Sequence, residues 1–343
     1  MNILADFHHA DLWWSLQLLA DRLGATLYRP YGMEWYDQGY LKLYGDLRRK
    51  DPRRWIAKQY LEDTIFDYNG IWGIGRETYN GCKDYPAFKL LDLEHAKRYP
   101  IDIVICSVHE NELYFAKLKE FWPNAKFVKQ VGNDLDTNID ESLYPNLLSS
   151  AIQPYNAFKG HKILYRQEFP IDLFNRYKKE PKNFNNIYSF QNDIEQFEDT
   201  WEFWTDLKHK LRDFKFQSFG VGCEQGKIYP KTEYIKKMLE ATFILQSKGP
   251  WEGYGHTIHN AICLGRPMII KFSDYQGRMA EPLLIKDETY LEMDDELPEK
   301  IRFYSVPERF KKMSDKCQQL FTENVNFDKE WKEKLKPFFE NLI

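Results

Sequence analysis

Apolar residues along the chain fall into short runs separated by stretches with helical spacing. Residues 2–7 form the first run and read as a buried strand. Asp11 then stands as a helix N-cap, and Leu12, Leu16, Leu19, Ala20 and Leu23 follow three or four apart until Gly24. Residues 25–28 are a second short run, so the chain opens as a strand–helix–strand unit of the kind that builds parallel sheets. The alternation resumes with strands at 101–107, 125–131 and 162–166 and a helix at 110–122. A polar stretch at 175–186, carrying Lys178, Lys179, Pro181 and Lys182, reads as a linker. Beyond it the pattern begins again: strand 186–190, helix 195–212, strand 214–219, helix 232–241, strand 242–246, helix 256–264 and strand 267–271. The last 40 residues are charged and helical, with Trp331, Leu335 and Phe338 as the apolar spacing. Residues 31–90 lack clean periodicity and read as an insertion, with 70–75 as a loop.

Two successive alternating halves predict an α/β protein of two domains. The expected division is 1–174 with the insertion at about 31–90, then 175–325, then a terminal helix at 326–343. A length of 343 residues agrees with two domains. The formal net charge of -4, from 48 basic and 52 acidic residues, leaves no global footprint for nucleic acid. Arg48, Arg49, Lys50, Arg53 and Arg54 form a local basic cluster. The five cysteines are scattered without a CxxC pair, which argues against a disulfide framework or zinc site and for a reducing, cytoplasmic setting. The N-terminus has no signal-peptide pattern, and no apolar stretch approaches transmembrane length.

The strongest chemical signal is Glu252-Gly253-Tyr254-Gly255-His256-Thr257, preceded by Lys248-Gly249-Pro250-Trp251 and continuing through Asn260 to Gly265-Arg266-Pro267. Its context is strand, glycine turn, helix, glycine stop, strand. Gly253 and Gly255 let backbone approach a bound group closely. The helix opening at His256 and Thr257 points N–H groups and a positive dipole end outward, a ready site for a diphosphate. The Thr257 hydroxyl adds a donor and Lys248 a point charge.

This stretch resembles the nucleotide-sugar motif of GT-B glycosyltransferases, in the group whose motif reads E-G-F/Y-G, a helix, then G-x-P-V-I. The resemblance covers about residues 242–271. It implies two Rossmann-like domains facing across a cleft, with a C-terminal helix that crosses back to the first domain. It also implies a nucleotide-diphosphate sugar as donor, bound without a required metal or other cofactor. Glu252 falls on the family's first acidic position, beside the donor sugar. The second acidic position, which holds the ribose hydroxyls, falls on Asn260, an amide that both accepts and donates. Where many relatives carry Arg and Lys after the first strand of this domain, the chain has Gln191 and Asn192; Lys227, Lys231 and Lys248 are substitutes to consider.

In the first half, Asp6-Phe7-His8-His9 closes the first strand, at the strand end where open α/β sheets bind ligands. A histidine there can take a proton from an acceptor hydroxyl. His9 or His8 is the candidate base, with Asp6 as its orienting carboxylate. His109, Glu110, Asn133 and Asp134 also end strands. Asp134 and Asp136 have the spacing of a DxD metal site, which belongs to a single-domain glycosyltransferase fold. The expected activity is transfer of a hexose or pentose from a nucleotide sugar to a hydroxyl acceptor: a glycan, a small molecule or a modified nucleobase in DNA. The alternatives are a sugar-nucleotide epimerase and a non-catalytic nucleotide-binding module.

Overall fold

The computed structural model describes residues 1–6, 10–31, 64–67, 71–74, 89–92, 99–107, 115, 118–220, 222–226, 228, 231–249 and 252–342. His8, His9, His109, Glu110, Lys227 and the Arg48–Arg54 cluster lie outside them. The chain forms two compact units: Met1–Gly132 with Asp136–Phe169 and Asp328–Ile343, and Pro170–Phe327 with Asn133–Leu135.

In the first unit, β1 (Asn2–Ala5), α1 (Ala10–Arg22) and β2 (Thr26–Tyr31) form the expected opening. The insertion contributes β3 (Thr64–Asp67), β4 (Ile71–Ile74) and β5 (Lys89–Asp92), followed by β6 (Ile103–Cys106), β7 (Lys126–Val131), β8 (Asn146–Ser149), α2 (Ile152–Ala157) and β9 (His161–Leu164). The strands described make one sheet in the order β3-β4-β5-β2-β1-β6-β7-β8-β9. Residues 71–74, expected in a loop, instead pair antiparallel with both β3 and β5. Leu4, Val104, Cys106, Phe115, Leu118 and Phe127 pack into one core cluster. The chain's last segment belongs to this unit, as the crossing-back helix requires: Leu335, Phe338, Phe339 and Leu342 are buried, and Phe338 stacks on His161 at 4.4 Å.

The second unit holds α3 (Ile171–Tyr177), β10 (Asn186–Ser189), α4 (Glu198–Lys210), β11 (Lys215–Ser218), α5 (Lys231–Glu240), β12 (Phe243–Leu245), α6 (His256–Cys263), β13 (Met268–Ile270) and β14 (Tyr290–Glu292). It ends in α7 (Leu297–Tyr304) and α8 (Pro307–Asn324); α9 (Phe327–Glu330) and α10 (Lys336–Glu340) follow. The start of the polar stretch read as a linker is thus helical, with Leu173 and Phe174 buried. All strand pairs of the second sheet are parallel, in the order β11-β10-β12-β13-β14. Parallel strands covered on both faces must be apolar throughout, and Ile187, Phe243, Leu245, Ile269 and Leu291 pack with Trp204, Leu207, Ile301 and Met313. Burying each such side chain contributes roughly 1.5–3 kcal/mol.

Candidate active site

Strand order places the site. From β10 the chain moves to β11 on one side, then crosses to β12 on the other. Backbone connections therefore diverge at the C-terminal ends of β10 and β12 and leave a crevice there, where doubly wound sheets bind ligands. Gln191 leaves β10 and Gln246-Ser247 leave β12 at this point. The Ser247 amide donates to Gln191 Oε1 at 3.1 Å, bridging the two strand ends.

The glycine turn follows at once. Gly249 (φ 59°) and Gly255 (φ 78°) both take left-handed backbone, which a side chain disfavours by about 1–2 kcal/mol. At Gly255 a Cβ would also sit 3.2 Å from the Ala280 methyl. Gly255 is the N-cap of α6, and among the described residues no side chain caps that helix. The helix dipole and its first-turn amides are thus available to an anion. His256 and Thr257 are half-buried at this end, and Lys248 is half-buried in the turn.

Neighbouring side chains hold the turn. Asp274, after β13, accepts from Ser247 Oγ at 2.5 Å and from the Gly249 amide at 3.1 Å. Arg278 donates to the carbonyls of Gly249 and Glu252 and pairs through Nε with the buried Asp134 carboxylate at 3.2 Å. The Asp134 of the DxD spacing is therefore engaged by an arginine of its own unit. Among the described residues, no group of three or more His, Cys, Asp or Glu is arranged to hold a metal ion.

Glu252 is buried, and its Oε2 accepts from Gln246 Nε2 at 2.9 Å. Burial, then the nearby Glu252 and Asp274 carboxylates, push the Tyr275 hydroxyl well above its usual pKa. Tyr275 therefore remains a neutral donor, to the Gln246 carbonyl at 3.3 Å. Tyr254 is buried and stacks on the His259 ring at 4.3 Å, while His259 Nδ1 contacts the Gly255 carbonyl at 2.9 Å. Asn260, one helical turn beyond His256, is 1% exposed, and its Oδ1 has no hydrogen-bond partner among the described residues.

Lys248, Glu252, Gly253, Tyr254, Gly255, His256, Thr257 and Asn260 thus form one contiguous feature at the switch point of the second sheet. Gln191, Gln246, Asp274, Tyr275 and Arg278 were not singled out as turn supports by sequence. Their shared signal is a polar residue just past the C-terminal end of a parallel strand. In the first unit the analogous switch point lies between β1 and β6. There the buried Asp6 accepts through Oδ1 from the Ser107 amide at 2.5 Å and from Ser107 Oγ at 2.8 Å. Its carboxylate ties the ends of β1 and β6 together.

No known family model matches the sequence, and no curated protein matches it. Solved structures do match the fold. HepE of Anabaena, in complex with UDP-glucose, is similar at a TM-score of 0.63 and 11% identity over 99% of this chain and 98% of that one. A glycosyltransferase from Rickettsia africae ESF-5 is similar at a TM-score of 0.55 and 13% identity, covering 99% and 98%. The pneumococcal O-GlcNAc transferase GtfA, in complex with UDP and GlcNAc, is similar at a TM-score of 0.55 and 9% identity, covering 99% of both chains. The chain has the fold of GT-B glycosyltransferases: two α/β units built on Rossmann-like sheets, the second parallel throughout and the first parallel except at the β3-β4-β5 edge.

Proposed function

We propose that the protein is a glycosyltransferase that moves a sugar, a hexose in the first instance, from a nucleotide diphosphate to a hydroxyl acceptor. The observation that carries this reading is the glycine turn at the switch point of the second sheet, opening into an uncapped helix N-terminus. The solved structures of the same fold that hold UDP-glucose, or UDP with a sugar, support it.

In this reading the diphosphate lies against the first turn of α6, with Lys248 and the Thr257 hydroxyl beside it. Asn260 meets the ribose hydroxyls and Glu252 the donor sugar. The bond from the anomeric carbon to the β-phosphate oxygen breaks, and negative charge collects on the departing diphosphate. Fixed N–H dipoles and an ammonium stabilise such charge without reorganising, and removing one such donor typically lowers turnover by about 10²–10³-fold. The acceptor oxygen forms the new bond and gives up its proton to a base, for which the sequence offers His9 or His8, with Asp6 as a carboxylate close to them in the chain. No metal is required for the charge stabilisation. The setting we propose is cytoplasmic, from the scattered cysteines of the sequence. No helix among the described residues is long and apolar enough to cross a membrane.

Thermal unfolding against UDP, GDP, ADP, CDP and dTDP and their sugars, with and without Mg²⁺ or Mn²⁺, tests the donor site. A ligand at about 100 times its Kd adds roughly 2.7 kcal/mol, a shift of several degrees. One nucleotide family is expected to shift melting without metal, and Glu252→Ala or Lys248→Ala to abolish the shift. No shift with any nucleotide overturns the assignment.

A further inference from the structure

At the opposite end of the second sheet, under the N-terminal ends of β10 and β11, lies a cavity of about 270 Å³. Lys179, Lys182, Asn186, Tyr188, Lys215 and Glu240 are among its walls, with Leu239 as an apolar patch. The lysines at 179 and 182 come from the polar stretch that the sequence marked only as a linker.

The walls are fixed. Arg266, 1% exposed, donates through Nη2 to the carbonyls of Lys179 at 2.5 Å and Leu239 at 2.9 Å, holding two sides of the cavity together. Asn186 Nδ2 donates to the Glu240 carbonyl at 2.8 Å, and Thr242 Oγ1 donates to the Asn183 carbonyl at 3.3 Å.

The polar groups facing in are unspent. The Tyr188 ring is buried, and the residue lines the cavity, where its hydroxyl makes no hydrogen bond among the described residues. Burial, with Glu240 nearby, raises this phenol to about 12, so it stays a neutral donor. The Asn186 side-chain carbonyl is likewise an acceptor without a partner among the described residues, its amide being turned toward Glu240. Lys179, Lys182 and Lys215 form no ion pair among the described residues, whereas Glu240 is already paired with Lys237 at 2.7 Å. Glu180 is the other carboxylate of the lining, so the rim remains positive.

We propose that this cavity is a second ligand site, for a small polyhydroxylated anion such as a phosphorylated sugar. The Tyr188 hydroxyl and the Asn186 side-chain carbonyl read sugar hydroxyls on the floor, and the lysines at the rim take the anionic group. The site is independent of the nucleotide reading, because it lies at the far ends of the strands that carry the glycine turn.

Calorimetric titration of the full chain with glucose 6-phosphate, glucose and inorganic phosphate tests it. Glucose 6-phosphate is expected to bind at least tenfold more tightly than either half alone. The exposed pair Lys182→Ala/Lys215→Ala should weaken that binding by about tenfold or more, the scale of one charge-assisted hydrogen bond. Tyr188→Phe should weaken it while preserving the ring packing. Lys248→Ala should leave it unchanged, and the pocket variants should leave any nucleotide-induced melting shift unchanged. Failure of glucose 6-phosphate to bind at millimolar concentration overturns the proposal. So does binding indifferent to these substitutions, abolished by Lys248→Ala, or matched by phosphate alone.

Discussion

Gly265 ends α6 with φ at 68°, and an added Cβ would meet Ser314 Oγ and Gln318 Nε2 at 2.5 Å and the Ser314 carbonyl at 3.1 Å. Two penalties are therefore expected in Gly265→Ala. The left-handed backbone costs about 1–2 kcal/mol for any residue with a Cβ. The serine and glutamine side chains can rotate away, but the Ser314 carbonyl belongs to α8 and yields only if the helix shifts. Overpacking of that kind costs typically 1–3 kcal/mol. The total is about 2–5 kcal/mol, or roughly 4–20 °C in melting temperature for a unit of this size. Gly277 separates the two contributions. Its φ is 74°, but a Cβ added there would find no atom within 4 Å. Gly277→Ala should therefore show the backbone penalty alone. Urea unfolding of both variants, followed by tryptophan fluorescence, gives the comparison, since Trp204 is buried in the same unit's core. Equal losses in the two variants would refute the claim that close approach of α8 to the α6 stop demands glycine.

Asp274→Ala should release Ser247 and the Gly249 amide, weakening nucleotide binding about tenfold with little change in melting of the free protein; unchanged affinity by titration would show that the turn holds itself. Tyr188, Tyr290 and Cys263 have pKa values raised by burial to about 12. Groups protonated more tightly when folded contribute stability that is fully present below their unfolded values and lost as pH climbs toward 12. Urea midpoints should therefore be level up to about pH 9 and fall steeply above it; a flat profile would contradict the burial of these groups. Arg22 grips Glu168 at 2.7 and 2.8 Å and reaches Asp328 in the returning C-terminal segment at 2.8 Å. Arg22→Ala should cost about 1–2 kcal/mol, with part of the loss disappearing at high salt; a salt-independent loss would point to packing against Trp331, which the guanidinium approaches at 6.0 Å.

Much of the fold was legible because buried parallel strands must be apolar in every position. The runs at β1, β6, β7, β10, β12 and β13 announced themselves in that way, and Gly24 and Gly265 marked helix stops by their left-handed backbone. The glycine turn and helix N-terminus of the candidate site were legible for the same local reason. Other elements take their character from partners. Asn146–Ser149, an Asn-Leu-Leu-Ser stretch, is a strand because β7 and β9 flank it. Ile71–Ile74 contains a glycine and reads as a loop until β3 and β5 pair with it. Tyr290–Glu292 is only three residues long and is completed by β13. The site followed the same division. Sequence carried the segment from Lys248 to Asn260, where function lies in local backbone geometry. Only tertiary structure brought Gln191, Asp274, Tyr275 and Arg278 to it, and Arg266 to the walls of the second cavity. Contacts between residues far apart in the chain leave no periodic trace in it, because strand order, not sequence spacing, decides which ends become neighbours.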